Sequence, residues 1–338
     1  MLILSQLKLT QGEKQVRTRK IGRSELEVSV LGLGCNNLGG RLDQDASIRV
    51  VNAAVDMGVT MFDVADVYPR GKAGAAEELL GRALGPRRKQ IVLATKFGLP
   101  MDQSGTRQGA KRDYIARAVE DSLKRLGTDW IDLYQLHAPD HGTPIEETLR
   151  ALDDLIKSGK VRHIGCSNFA AWDMVDSLWI AKELGTHAFI SVQNEYSLVN
   201  REPDREVIPA ALKHSIGFLP FFPLASGLLT GKYRHNQPPP AGARLSYNKL
   251  LGDRFLNESN GEMVAALQAF CDRKGYRMLD LAFSWLLHCR AVSSVIAGAS
   301  TPEQLAQNVK AVELALTPED IVEIDVITGA DRYKPSHG

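Results

Sequence analysis

A chain of 338 residues with 44% hydrophobic and 24% charged side chains can bury a large core and has the composition of an ordinary globular protein. Because its formal net charge is only +1, electrostatics give no argument for nucleic acid or an anionic membrane as a partner. The four cysteines lack the CxxC spacing of a zinc site and the pattern of a disulfide framework, which predicts a reducing, cytoplasmic location and no bound metal.

The N-terminal region divides into a leader and a short β-structure. We treat residues 1–16 as a leader of uncertain order, and its apolar run is far shorter than the roughly 7–15 residues of a signal-peptide core. No stretch of the chain approaches the roughly 20 apolar residues of a membrane span. Two short segments flank Gly22 between residues 17 and 30. They predict a β-hairpin, which we expect to close the bottom of the domain.

Apolar runs then alternate with helical patterns. The predicted strands are 30–34, 59–63, 91–96, 131–136, 161–166, 189–193, 216–222 and 292–297, and the predicted helices are 45–57, 74–84, 112–125, 144–157, 170–184, 203–214, 260–275 and 302–313. Eight such units fit a closed barrel or an open doubly wound sheet. No GxGxxG follows the first strand, which favours the barrel. We therefore predict one (β/α)8 TIM-barrel domain over residues 1–338, with an N-terminal hairpin and a long loop after the seventh strand.

Three predicted strands end on residues that carry chemistry. The second strand ends at Asp63, the third at Lys96, and His137 follows directly after the fourth, while Tyr68 stands five residues after Asp63. In a parallel barrel the carboxyl ends of successive strands meet at one face, so these four side chains should lie together. Any one of them alone would more often be structural. The combination predicts an active site at this face.

In type, order and spacing these four residues resemble the catalytic tetrad of the aldo-keto reductase superfamily, in a branch similar to the potassium-channel β subunits and aldehyde reductases. The resemblance covers residues 19–325, although Val64, Pro69 and Ala76 depart from common family residues. It implies an NADPH-dependent oxidoreductase that reduces an aldehyde or ketone.

A carbonyl that accepts hydride develops negative charge on its oxygen and needs a proton donor. We expect Tyr68 to be that acid, with Lys96 lowering the pKa of the phenol, Asp63 keeping the lysine charged, and His137 orienting the carbonyl. In the alternative interpretation, Asp63 and Lys96 form only a structural ion pair.

The resemblance also assigns the cofactor site. Ser167 and Asn168 after the fifth strand, with Gln193 at the end of the sixth, would bind the nicotinamide carboxamide; an isolated Ser-Asn pair would more simply cap the following helix. Phe222 would stack on the nicotinamide, while small residues admit backbone amides to the pyrophosphate. The remaining residues assigned to the cofactor up to residue 232 are Gly34, Cys35, Asp63, Pro223, Leu224, Ala225, Gly227, Leu228 and Lys232.

The segment from Gly298 to Asn308 resembles the adenosine end of the family site. Ser300, Gln304 and the N-terminus of the final helix would bind a 2′-phosphate, because unpaired amides and the helix dipole favour an anion there. Gln307 and Asn308 would contact the adenine, although the family often has Glu where Gln307 stands. We therefore expect NADPH to be preferred over NADH, provided that the Glu303 carboxylate points away from the phosphate.

The substrate is indicated only by the polar character of the predicted loops. The candidate contacts are Asn36, Asn37, Tyr68, Arg70, His137, Asp140, His141 and Tyr247. This set favours a hydroxylated or sugar-derived carbonyl compound, although each loop residue alone would more often be solvated. A competing function is a cofactor-bound redox sensor or accessory subunit with little turnover. A metal-dependent barrel hydrolase is disfavoured, because the strand ends supply too few metal ligands.

Overall fold

The computed structural model describes residues 16–330 and contains a sheet of eight parallel strands. Strands β1 (Thr18–Lys20) and β2 (Glu27–Ser29) form the N-terminal hairpin and pair antiparallel. The strands of the large sheet are β3 (Leu31–Gly34), β4 (Met61–Asp63), β5 (Val92–Phe97), β6 (Ile131–Leu136), β7 (Val161–Ser167), β8 (Ser191–Gln193), β9 (Gly217–Phe218) and β10 (Val295–Ala297). Their order is β10-β3-β4-β5-β6-β7-β8-β9.

Backbone hydrogen bonds between the two ends of this order close the sheet. The Ser293 N–H donates to the Phe218 carbonyl at 3.0 Å, and the Ile296 N–H donates to the Pro220 carbonyl at 2.9 Å. Every residue of β6 is buried, as expected for a barrel strand that faces side chains inside and helices outside. The predicted (β/α)8 barrel is therefore confirmed.

Helices surround the barrel, and consecutive helices from α1 to α6 pack against one another. None of the helices in residues 16–330 is long and apolar enough to cross a membrane. The helices are α1 (Gln44–Asp56), α2 (Ala75–Leu84), α3 (Arg112–Leu126), α4 (Ile145–Lys157), α5 (Ala171–Leu184), α6 (Val207–His214), α7 (Arg244–Tyr247), α8 (Lys249–Phe255), α9 (Glu258–Lys274), α10 (Met278–His288), α11 (Pro302–Ala311) and α12 (Pro318–Ile327).

The hairpin closes one end of the barrel, as predicted. Ile21 is fully buried in a cluster with Val28 and with interior residues of the barrel strands, among them Met61 and Leu133. Gly22 has a positive φ of 54°, and a Cβ at this position would lie 2.5 Å from the Ser215 carbonyl oxygen. Only glycine fits between the hairpin and the barrel floor at this point.

Several predicted boundaries and elements differ from the structure. The predicted helix 203–214 is a short 3-10 turn followed by α6, and four helices, α7, α8, α10 and α12, were not predicted. The loop after the seventh strand contains the short helices α7 and α8. The predicted leader lies outside the described residues except for Val16, which is buried.

Candidate active site

An almost fully buried ion pair stands at the carboxyl ends of β4 and β5. The Lys96 ammonium lies 2.5 Å from the Asp63 carboxylate and also donates to the Val64 carbonyl at 3.2 Å. Burial lowers the pKa of Lys96, yet the Asp63 carboxylate and the Tyr68 side chain together raise the pKa by more, so its net shift is upward. The lysine is therefore charged at neutral pH.

Two glutamine amides hold the second oxygen of the Asp63 carboxylate. The Gln135 side chain of β6 donates to Oδ1 at 3.1 Å, and the Gln193 side chain of β8 donates to the same atom at 2.9 Å. Four barrel strands thus fix the orientation of one carboxylate. The sequence interpretation missed Gln135, although a glutamine within a buried apolar strand is a signal for such a role.

Tyr68 and His137 lie beside this ion pair. The Lys96 ammonium is 5.3 Å from the centroid of the Tyr68 ring, and the Tyr68 and His137 rings meet edge to face with centroids 5.7 Å apart. The structure therefore brings the four strand-end residues together, as their spacing predicted.

The protonation states of these two side chains follow from their burial. Burial raises the pKa of Tyr68, and the charge of Lys96 only partly opposes this effect. Lys96 lowers the phenol's pKa, as expected, but desolvation is the larger effect and the net shift is upward. Burial, Lys96 and Arg70 hold the pKa of His137 well below its usual value. Within residues 16–330 the buried Nδ1 of His137 has no hydrogen-bond partner. The site combines a neutral phenol, a neutral imidazole and one ammonium.

Hydrogen-bonding groups from β7 and β8 continue the site. The Ser167 hydroxyl donates to the Gln193 carbonyl at 2.8 Å, and the Asn168 amide donates to the His137 carbonyl at 2.9 Å. Asn168 adopts a left-handed backbone with a φ of 59°. Helix α5 begins at Ala171 without a side-chain cap, so the simpler interpretation of Ser167 and Asn168 as a helix cap is wrong.

The loop after β9 has an unusual backbone. Phe222, Ala225, Ser226 and Gly227 have positive φ values of 52°, 46°, 57° and 102°. Left-handed conformations at non-glycine residues cost free energy and concentrate at ligand-binding segments. The buried Ser226 hydroxyl has no hydrogen-bond partner in the described part of the chain. Ala225 and Leu228 are buried, so this loop offers chiefly backbone groups to a ligand.

A cationic cavity opens beside this loop. It has a volume of about 460 Å³ and is lined by Asn37, Arg41, Arg244, Tyr247 and Asn248. The Arg244 guanidinium lies 6.0 Å from the centroid of the Phe222 ring.

Three cations accumulate around this cavity. Burial, followed by the positive charge of Arg41, lowers the pKa of Lys232, and both effects also lower the pKa of Arg244. Within residues 16–330, no carboxylate forms an ion pair with Arg41, Lys232 or Arg244. The sequence interpretation missed Arg41 and Arg244, because the sequence around a loop arginine does not indicate which other loop its side chain will contact.

The segment after β10 lies against the loop after β3. A Cβ at Gly298 would be 3.3 Å from the Asn37 amide nitrogen. Helix α11 begins after Thr301, and the Gln304 side chain accepts from the Ser300 N–H at 2.9 Å. Glu303 is exposed in the first turn of α11, where hydrogen bonding to Thr301 and to its own backbone N–H lowers the pKa of its carboxyl group. Its negative charge therefore belongs to the start of this helix. Asn308 is buried, whereas Gln307 is exposed.

Three predicted ligand contacts need correction. Asp140 and His141 line a separate cavity of about 190 Å³. The Asp140 carboxylate accepts from the Ala110 N–H, the Gly142 N–H and the Thr143 hydroxyl, at 2.8, 3.0 and 2.8 Å, so its role is to join two loops. His141 stacks on the exposed Trp172. The Cys35 thiol is fully buried and donates to the Leu33 carbonyl, so it faces the core rather than a ligand.

Comparison with known proteins assigns the chain to a family. The model of the aldo/keto reductase family matches residues 30–328. An uncharacterized oxidoreductase, YrpG, of Bacillus subtilis (strain 168) is 36% identical over 307 residues, covering 88% of this chain and 92% of the relative. Versiconal hemiacetal acetate reductase of Aspergillus parasiticus is 33% identical, with coverages of 89% and 94%. L-glyceraldehyde 3-phosphate reductase of Escherichia coli O157:H7 is 33% identical, with 92% of each chain covered. The chain is an oxidoreductase and belongs to the aldo/keto reductase family.

Proposed function

We propose that this chain is an NADPH-dependent reductase of aldehydes or ketones, with Tyr68 as the proton donor. The observation that carries the proposal is the meeting of Tyr68, His137 and the buried Lys96–Asp63 pair at the carboxyl end of the barrel. The reductase names of two relatives agree with this chemistry.

The site residues fit the charge that develops during carbonyl reduction. When bound, a reduced nicotinamide dinucleotide supplies hydride to the carbonyl carbon, and the carbonyl oxygen becomes negative. His137 is neutral and can donate a hydrogen bond to that oxygen through its less buried Nε2, which orients the substrate beside Tyr68. Tyr68 transfers its phenolic proton to the oxygen, and the adjacent Lys96 ammonium stabilises the resulting phenolate.

Polar groups around the barrel mouth support a dinucleotide site. Ser167, Asn168 and Gln193 would bind the nicotinamide carboxamide after exchanging hydrogen bonds that they make within the protein, and Phe222 would cover one face of the nicotinamide ring. The left-handed loop 225–227 would lie beside the pyrophosphate, where a ligand would compete with the bonds that the Ala225 and Gly227 N–H groups donate to the Phe222 and Leu224 carbonyls. The residues proposed to neutralise phosphate charge are Arg41, Lys232 and Arg244, with Ser300 and Gln304 at the 2′-phosphate.

A polar carbonyl substrate fits the neutral groups of the same region. Asn37 and Tyr247 line the cavity that Arg41 and Arg244 also line, so the substrate would lie next to the cofactor phosphates there, and the Asn36 side chain lies close to Gly298. Hydroxyl groups of a sugar-derived aldehyde would find amide and phenol partners there. One relative carries the name of a reductase of a phosphorylated three-carbon aldehyde, which is a substrate of this polar type.

The proposal is tested by following NADPH oxidation with a panel of sugar-derived and simple aldehydes. Tyr68→Phe should lower the hydride-transfer rate by roughly 10²-fold or more, while NADPH affinity, measured by fluorescence titration, stays nearly unchanged. Tyr276→Phe is the matched control, because the hydroxyl of this tyrosine contacts Asp320, outside the active site. Wild-type turnover in Tyr68→Phe, when chemistry limits the rate, would remove Tyr68 as the acid. Tight NADPH binding without reduction of any aldehyde would favour the sensor function instead.

A further inference from the structure

A second group of buried polar side chains lies behind the active site. Asp66 is completely buried, and neither oxygen of its carboxyl group has a hydrogen-bond partner among residues 16–330. The hydroxyls of Tyr114 on α3 and Tyr134 on β6 are also buried there without a partner. Asp66 is close enough to both phenols that a charge on it would raise the pKa of each. Buried polar atoms are nearly always paired in native proteins, so this cluster requires a physical reason.

The surroundings of Asp66 disfavour a negative charge. Glu77 on α2 is fully buried and accepts from the Thr95 hydroxyl at 2.6 Å and from the Arg125 guanidinium at 2.7 Å. Its ion pair with Arg125 therefore already engages the cation that most favours ionisation of Asp66. Burial, followed by the charge of Glu77, raises the pKa of Asp66 to about 8. The titratable groups that face Asp66 are Glu77 of α2, Tyr114 and Arg125 of α3, Tyr134 of β6, Tyr68 of the same segment and Arg107 of the loop before α3.

The backbone ties Asp66 to the catalytic groups. The Asp66 N–H donates to the Lys96 carbonyl at 3.1 Å, and the Tyr68 N–H donates to the Ala65 carbonyl at 3.1 Å. The Lys96 ammonium in turn donates to the Val64 carbonyl. Ionisation of Asp66 would draw its carboxylate away from Glu77 and towards water, and its backbone lies in the short segment that carries Tyr68 two residues later.

We propose that Asp66 is a positioning residue that holds Tyr68 in its active location only while its own carboxyl group is protonated. Loss of this proton converts the enzyme to a less active form at alkaline pH. The proposal rests on the reductase function proposed above, in which Tyr68 is the proton donor. Asp66 acts through the position of Tyr68 and does not contact the reacting atoms.

The first test is the pH dependence of kcat/KM for aldehyde reduction. In the wild type, kcat/KM should fall by about tenfold for each pH unit above the pKa of Asp66. Asp66→Asn keeps the size and neutrality of the protonated group, so this decline should disappear. Asp129→Asn, outside the buried cluster, is the matched control and should keep the wild-type profile. Glu77→Gln removes the like charge and should move the decline to lower pH. An unchanged decline in Asp66→Asn, or an unmoved one in Glu77→Gln, would overturn the proposal.

A second measurement does not depend on turnover, and its acid band is read from the wild-type protein alone. Infrared spectra of wild-type protein carrying ¹³C-labelled aspartate should show the carbonyl band of a buried protonated acid at pH 7, and this band should disappear as the pH rises to 9. The ring signals of ¹³C-labelled Tyr68, assigned with Tyr68→Phe, should change over the same titration. Absence of the acid band, or a Tyr68 signal that ignores the titration, would refute the positioning role even if no aldehyde were reduced. If the band and ring signals titrate together while the aldehyde panel stays inert, only the proposed reductase function fails.

Discussion

The Asp63–Lys96 pair allows structural and catalytic roles to be separated by a double-mutant cycle. Lys96→Met replaces the ammonium with an apolar group of similar length and leaves the Asp63 carboxylate without its cation in a site where both side chains are almost fully buried. Breaking a buried pair in this way costs about 3–5 kcal/mol of unfolding free energy. We expect the lower part of that range, because Gln135 and Gln193 still donate to Asp63.

The second variant removes the charge that Lys96→Met leaves behind. Asp63→Asn combined with Lys96→Met has no uncompensated charge, so most of the lost stability should return. At roughly 1.4 °C per kcal/mol for a chain of this length, the single variant should melt about 4–6 °C below the wild type and the double variant much closer to it. The pKa of Lys96 is raised in the folded state, so its stabilising contribution is fully present below the unfolded pKa of about 10.4 and is lost as the pH rises through the higher folded value. Measurements at pH 7 therefore observe the whole effect.

The catalytic rate should stay low in the double variant even though its stability recovers. Both variants lack the ammonium beside Tyr68, so both should lose about 10²-fold or more in hydride transfer. Thermal unfolding and single-turnover NADPH oxidation are the two assays. A double variant that recovers both stability and activity would show that Asp63 and Lys96 form only a structural pair. A Lys96→Met variant of wild-type stability would refute the reasoning about the buried carboxylate.

Two further predictions concern a protonation state and a turn. Because the pKa of His137 lies well below about 6.5, His137→Gln should lower the rate about tenfold to 10²-fold without altering the pH profile between pH 6 and 8; a lost acid limb in that range would contradict a neutral imidazole. Gly22→Ala should lose about 2–5 kcal/mol in denaturant unfolding, whereas Gly127→Ala, which has a left-handed backbone but no atom within 4 Å of its new Cβ, should lose about 1–2 kcal/mol. Equal losses would show that the clash with the barrel floor is unimportant.

The barrel and the four convergent residues were predictable because both depend on local pattern and strand order. A strand that ends on a charged residue places that residue at a known end of a parallel barrel, whatever the loops do. Helix α10 was missed because nine of its eleven residues are buried, which removes the polar face that makes a helix visible in sequence. Gln135 was missed because its partner, Asp63, stands 72 positions away.

The predictions for loop residues were wrong or incomplete for a different reason. The side chain of Asp140 was expected in a substrate pocket, but its carboxylate completes a loop junction with Ala110 and Thr143. Arg41 and Arg244 were not considered, yet they share one cavity although they are far apart in sequence. The direction of a loop depends on long-range contacts that neither residue type nor spacing encodes. The catalytic residues at the strand ends can therefore be predicted from this sequence, whereas the loop residues that contact a ligand cannot.

Cofactor choice depends on the balance of charge at the start of α11. Ser300 and Gln304 supply neutral donors there, but the Gln304 oxygen already accepts from the Ser300 N–H, and Glu303 stands in the first turn of α11. A 2′-phosphate must turn the Gln304 side chain and tolerate the Glu303 carboxylate. We still expect NADPH to bind more tightly than NADH by about 1–3 kcal/mol, the scale of one or two charge-assisted hydrogen bonds.

Three variants separate these contributions in fluorescence titrations with both cofactors. Ser300→Ala/Gln304→Ala should weaken NADPH selectively, because only the 2′-phosphate uses those donors. Glu303→Gln should tighten NADPH and leave NADH unchanged, since NADH has no phosphate at that position. Glu313→Gln is the matched control, because this exposed glutamate lies beyond the C-terminal end of α11, and it should alter neither affinity. Equal affinities for the two cofactors in the wild type, or a double mutant that weakens both alike, would contradict the assignment of this segment as the 2′-phosphate site. Recognition of the cofactor's charge would then fall to Arg41, Lys232 and Arg244.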